Sequence, residues 1–179
     1  MPTAGHVKTQ LRQLMREKLK TTQPSSAPVC TALEHWLLAH PAVRKIAVYS
    51  PLPGEVDLTT VILAHPELTW LYPRITGQNL SFHRGGALTP GTLGILEPDE
   101  KGSTIPIPEI GAFICPGLAF TAAGHRLGRG RGYYDRALAQ AHPGAIKLGV
   151  CFDFQIVENT FPESHDITMD LILSSGSSP

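Results

Sequence analysis

Residues 112–136 read Ala-Phe-Ile-Cys-Pro-Gly-Leu-Ala-Phe-Thr-Ala-Ala-Gly-His-Arg-Leu-Gly-Arg-Gly-Arg-Gly-Tyr-Tyr-Asp-Arg. The four apolar residues Ala112–Cys115 predict a buried strand, and the pattern from Tyr133 to Ala141 predicts a helix. A loop holding four glycines and three arginines between Gly124 and Gly132 joins them. Glycine lets a backbone fold tightly and approach a ligand, and arginine presents a planar fork of donors that matches phosphate oxygens. A loop of this kind running into a helix N-terminus is a place to hold a polyphosphate. No Gly-Lys-Ser/Thr closes it, and Gly128, Gly130 and Gly132 alternate, so it is neither a Walker loop nor a dinucleotide fingerprint. Arg126, Arg129 and Arg131 repel one another unless an anion is present, so phosphate chemistry is expected first.

Outward from this stretch, apolar runs predict strands at 46–50, 68–72, 80–83, 146–152 and 171–174. Helical spacing predicts helices over 7–20 and 29–38, and a short one after Asp57 that ends at Ala64. The stretch 85–110, rich in Gly and Pro, reads mainly as loop, and the tail 175–179 as disordered. Strands alternating with helices, several of them continuously apolar, predict one domain over 1–179: a three-layer α/β fold with a largely parallel sheet. Ligands of such sheets sit beyond the carboxyl ends of strands. The basic loop lies there, and the turn Pro51–Glu55 after strand 46–50 is expected to face the same crevice.

Composition narrows the function. With 15 basic and 15 acidic residues the formal charge is zero, which argues against a nucleic-acid or membrane-surface binder. No apolar run approaches the roughly 20 residues of a membrane span. Three separated cysteines, Cys30, Cys115 and Cys151, suggest neither a disulfide framework nor a zinc ribbon; a reducing cytoplasm is expected. The first residues lack the apolar core of a signal peptide.

Several residues carry two readings. Lys8, Arg12 and Arg16 lie four apart beside an apolar stripe, which by itself describes a solvated helix face. Tyr133 and Tyr134 read as core aromatics or as a stacking surface. Asp135 reads as a helix cap or as a magnesium ligand against phosphate oxygens. Glu55 reads as a surface residue or as a group aimed by its Pro-Leu-Pro-Gly turn, and Asp170 as a polar strand start. His165-Asp166 suggests half a triad, but no Gly-x-Ser-x-Gly supplies a nucleophile, so a hydrogen-bonding role is expected.

The segments Pro116–Phe120 and Gly124–Arg136 resemble the 5-formyltetrahydrofolate cyclo-ligase family, also called methenyltetrahydrofolate synthetases. Further blocks match in order: Lys8-x-x-Leu-Arg12, Ile46-Ala-Val-Tyr-Ser50, Gly54-Glu-Val-Asp57, Tyr72-Pro-Arg74, Gly94-Ile-Leu-Glu-Pro98, residues 148–155 and His165–Asp170. The resemblance implies a Rossmann-like fold and conversion of 5-formyltetrahydrofolate into 5,10-methenyltetrahydrofolate with ATP and magnesium, releasing ADP and phosphate. It implies that Lys8 and Arg12 reach ATP phosphates. It places Arg126, Leu127, Gly128, Arg129, Gly130, Arg131, Gly132, Tyr133 and Tyr134 around the nucleotide. Residues Arg129 to Tyr133 would also border the folate, with Ser50 and Glu55. Asp135 and Asp170 would hold magnesium, and Arg129 and Arg131 would stabilise the transferred phosphoryl group. The family often carries Lys or Gly where this chain has Arg131. The expected partners are the small-molecule substrates alone, on a monomer. A sugar-phosphate isomerase with Glu55 as base, and a nucleotide or folate sensor without turnover, are the alternative readings.

Overall fold

The computed structural model describes residues 4–86, 88–91, 95–98 and 102–176. Gly94 of the Gly94–Pro98 block and residues 177–179 of the expected disordered tail lie outside them. The chain order is α1 (Ala4–Thr21), α2 (Ala27–Ala39), β1 (Lys45–Ala47), α3 (Thr59–Ala64), β2 (Thr69–Thr76) and β3 (Asn79–Arg84). Then follow β4 (Leu88–Pro90), β5 (Leu96–Pro98), β6 (Thr104–Ile105), β7 (Ala112–Cys115), β8 (Ala119–Phe120) and β9 (Arg126–Leu127). The last elements are α4 (Tyr133–Leu138), β10 (Ile146–Cys151) and β11 (Leu171–Ser174).

A seven-stranded sheet runs in the order β11-β10-β7-β1-β2-β3-β6. The strands from β11 to β2 pair in parallel, β3 runs antiparallel to β2, and β6 pairs antiparallel with β3 and so runs with the rest. The fold is therefore the expected α/β class with a mainly parallel, mixed sheet. The central strands are buried on both faces because both are covered. Ile46, Val48, Ala112, Ile114, Leu148 and Val150 pack with Val29, Leu33 and Leu37 of α2 and Val61 of α3. Alternate residues Ala47, Phe113, Cys115 and Cys151 pack on the opposite face with Ala137 and Leu138 of α4. That period of two, apolar on both faces, is what made the strands legible.

Three expectations need correction. Strand 68–72 does not close at Pro73; β2 continues to Thr76 against β3. Pro73 instead ends the parallel ladder with β1. Val48 donates to the Leu71 carbonyl at 2.8 Å, and in that register the next donor on β2 is residue 73, whose nitrogen carries no hydrogen. Strand β1 thus stops at Ala47, and Val48–Ser50 peels off toward the crevice. Within the stretch 85–110, expected mainly as loop, lie the short β4–β5 pair and β6. The basic loop contains a small hairpin, with Ala119 opposite Leu127 and Phe120 opposite Arg126. Helix α4 ends at Leu138 rather than Ala141.

Helix α1 stands apart from the sheet. Its Met15 and Leu19 bury against Leu118, Ala119 and Leu127 of the β8–β9 hairpin, while Leu14, read as part of the apolar stripe, is half exposed. This small cluster holds the helix, with its cationic side chains, beside the loop.

Candidate active site

Beyond the carboxyl ends of β7 and β1 lies a crevice of about 360 Å³. The loop Gly128–Gly132 and α1 form one wall, and the turn before Glu55 and strands β2, β3 and β5 form another. The turn after strand 46–50 thus does share the crevice with the basic loop.

The loop is shaped by its glycines. Gly130 and Gly132 adopt φ of 98° and 66°, left-handed conformations that other residues reach only with strain. Arg12 Nε donates to the Gly128 carbonyl at 3.1 Å, and Arg16 Nη2 donates to the Arg129 carbonyl at 3.2 Å. Across a trans peptide the carbonyl and the following N–H point in opposite directions. These two bonds therefore turn the N–H groups of Arg129 and Gly130 away from α1. Among the described residues, no hydrogen bond is made by the N–H groups of Arg129, Gly130 or Arg131. Successive unpaired N–H groups in such a bend form an anion cradle. Helix α4 has only six residues, so the loop rather than a helix dipole supplies the donors.

The three arginines are not equivalent. Arg126 is buried, its side chain 4% exposed, with Nη2 3.0 Å from Asp135 Oδ1. Its guanidinium carbon lies 5.4 Å from the Tyr134 ring centroid. Arg129 donates through Nε at 3.2 Å and Nη2 at 2.6 Å to Glu55 Oε1. Glu55 is aimed by its other oxygen, which accepts from the Leu52 N–H at 2.9 Å. The guanidinium of Arg131 has no partner among the described residues and lines the crevice. Protein carboxylates thus neutralise two of the three charges, which corrects the expectation that an anion alone relieves their repulsion.

Lys8 is not on a solvated face: its side chain is 7% exposed, with Nζ 2.8 Å from Asp166 Oδ2 and 3.4 Å from Glu163 Oε2. Burial would raise the Asp166 pKa, but the Lys8 hydrogen bond and charge and the Glu163 N–H hold it below the ordinary carboxylate value. Ser50 is buried and donates to the Leu96 carbonyl at 2.7 Å. The Tyr134 hydroxyl is buried without a partner among the described residues. Burial first, with Cys115 and Glu55, pushes its pKa well up, so it remains a neutral donor. Burial likewise pushes Cys115 and Cys151 to about 12, as suits inert core thiols.

A family model, the 5-formyltetrahydrofolate cyclo-ligase family, matches residues 4–175. The chain belongs to this family. A 5-formyltetrahydrofolate cyclo-ligase of Mycoplasma genitalium is 31% identical over 178 residues, which cover 94% of this chain and 98% of that one. One of Mycolicibacterium smegmatis is 34% identical and covers 93% of each chain. The solved structure of 5,10-methenyltetrahydrofolate synthetase from Aquifex aeolicus matches with a TM-score of 0.84 at 30% identity, over 96% of this chain and 91% of that one.

Set against this cyclo-ligase family, the crevice brings together Lys8, Arg12, Ser50, Glu55 and the run Arg126–Asp135. It does not bring in Asp170. That carboxylate accepts from the Lys147 N–H at 2.7 Å and from its Nζ at 3.0 Å, at the start of β11 and level with the first half of β7. Magnesium is satisfied by one or two carboxylates plus phosphate oxygens. Asp135 suits it: it lines the crevice, and only its Oδ1 is engaged, by Arg126 and by the Ile167 N–H at 3.3 Å. Asp170 does not. No group of three or more potential metal-ligating side chains occurs among the described residues.

Sequence reasoning gave Glu163 and Glu97 no role at the site and read Arg16 only as part of a solvated helix face. Arg16 carried a signal, the four-residue spacing from Arg12. The hydrogen-bonding role expected of His165-Asp166 is met at Asp166, which accepts from Lys8 Nζ and from the Glu163 N–H. Among the described residues no helix is long and apolar enough to cross a membrane.

Proposed function

We propose that this chain closes 5-formyltetrahydrofolate to 5,10-methenyltetrahydrofolate at the expense of ATP, releasing ADP and phosphate. The observation that carries the reading is the juxtaposition in one crevice of an anion cradle with a free arginine and a wall bearing Glu55 and Ser50. A phosphoryl donor and a folate acceptor would meet there.

The formyl oxygen attacks the γ-phosphorus and ADP leaves. N10 then attacks the activated formyl carbon and loses its proton, and phosphate departs with the former formyl oxygen. No step needs a protein nucleophile, so positioning and charge supply the acceleration. The N–H groups of Arg129, Gly130 and Arg131 and the Arg131 guanidinium hold the triphosphate, flanked by Lys8, Arg12 and the aromatic rings of Tyr133 and Tyr134. Asp135 would hold magnesium brought by the nucleotide, and that ion would supply further positive charge against the phosphate oxygens. Arg129 leaves Glu55 for phosphate, which frees Glu55 for the folate. Every group named comes from one chain, so a monomer suffices.

Incubation of the purified chain with 5-formyltetrahydrofolate, ATP and magnesium should produce methenyl absorbance and stoichiometric phosphate. Folded protein giving neither signal sinks the proposal; tight nucleotide binding without phosphate release would instead identify a sensor.

A further inference from the structure

The wall opposite the cradle contains a carboxyl group that the proposed chemistry does not use. Glu97, on β5, is 3% exposed and lines the crevice. Its Oε1 accepts one long bond, 3.3 Å from the Ile75 N–H. Neither a cation nor a second donor meets it among the described residues. A buried carboxyl group left this bare is costly unless something completes its hydrogen bonds. The fold nonetheless makes room for it. A Cβ at Gly91 would fall 2.4 Å from the Glu97 Cδ, so the Glu97 carboxyl group occupies the space that a side chain at 91 would take. The Ser50 hydroxyl fixes the adjacent Leu96 carbonyl.

The surroundings say what the missing partner is. Pro73, Ile75, Leu80 and Ile95 line the same crevice, apolar surface of a kind that suits a flat ring. One acceptor fork beside such a surface suits a ring edge with two neighbouring N–H donors. The 2-amino group and N3–H of a 2-amino-4-oxopteridine form that edge. Adenine presents a donor beside an acceptor, and its acceptor would face the second oxygen.

We propose that Glu97 is a specificity-determining residue that accepts hydrogen bonds from the 2-amino and N3 positions of the pteridine ring, and so seats the folate with its formyl group toward the phosphate cradle. This rests on the cyclo-ligase reading above. It places the pteridine on the β2–β3–β5 wall and leaves the basic wall to the nucleotide.

The test measures binding of 5-formyltetrahydrofolate, and of its analogue lacking the 2-amino group, to the wild type and to Glu97→Gln. The ATP KM is followed in parallel. Loss of a hydrogen bond to a charged acceptor should make the wild type prefer the parent by about 10- to 100-fold. Glu97→Gln should bind the parent more weakly by a similar factor, bind both ligands within about threefold, and keep its ATP KM within about twofold. A preference that survives in Glu97→Gln, or an ATP KM that rises in step with the loss of folate affinity, overturns the assignment. If the variant does not fold, equal binding of the two ligands by the wild type overturns it without a variant. Wild-type turnover with an unchanged preference in the variant removes only the role of Glu97, whereas no turnover by the wild type removes the cyclo-ligase reading itself.

Discussion

Arg126 and Arg131 are five positions apart in one loop, and the fold uses them in opposite ways. Arg126 lies in the β8–β9 hairpin, buried on Asp135 and against the Tyr134 ring. Arg131 lies where the loop has left the hairpin, exposed at the crevice, with its guanidinium unpaired among the described residues. One residue type thus serves as scaffold at one end of the loop and as an unpaired charge at the crevice at the other. The dividing factor is the β8–β9 pairing, which ends at Leu127. Before that point side chains pack; after it, glycine backbone and free donors remain.

The comparison can be broken by truncating each arginine. Arg126→Ala opens a void beside the half-buried Asp135 and removes the buried partner of its ion pair, a loss of about 3 kcal/mol. Denaturant unfolding should show a correspondingly lower midpoint. A stable, merely inactive variant would mean Arg126 belongs with the ligand-facing group. Arg131→Ala should unfold within about 0.5 kcal/mol of the wild type. Its kcat should nevertheless fall by about 10²-fold or more, with a smaller change in folate KM. Equal turnover would show that the free guanidinium does not meet the transferred phosphoryl group.

Two smaller effects sharpen the picture. Arg129 is intermediate, since a protein carboxylate holds it at the crevice mouth. A double-mutant cycle on Glu55→Ala and Arg129→Ala should give a coupling of about 1 kcal/mol in stability without ligand. That coupling should vanish at saturating substrates if the pair separates on binding. The smallest effect concerns the attachment of α1 through Lys8. The Asp166 pKa is depressed in the folded chain, so its contribution is present above the unfolded carboxylate value of about 4 and is lost as pH falls through the lower folded value. Hydrogen exchange in α1 should rise below about pH 4 before the sheet unfolds, and a Lys8→Met variant should lack that step.

Where one residue's neighbours in the chain decide its role, the sequence was informative. Strands of the central sheet are apolar on both faces, and a glycine–arginine run between strand and helix has few uses, so the α/β class and the anion loop were legible. Pro73 shows the limit. It reads locally as a strand end, but it ends one ladder while the other continues, because hydrogen bonding on its two sides is independent. The β4–β5 pair escaped notice because its short strands owe their pairing to the segment they lie beside. Lys8 reads as solvated because its acidic partners lie 155 and 158 positions away.

The sequence by itself determined the fold class, the glycine–arginine loop at the strand end and, through its motif, the family. Each follows from residue types at short spacing, which local sterics and hydrogen-bonding capacity translate directly. Only the tertiary structure decided which arginine faces the crevice, that Asp135 and not Asp170 lies in it, and that Glu97 stands without a cation among the described residues. Charge pairing and burial depend on which distant segments the sheet brings within a few ångströms, and no local pattern records that.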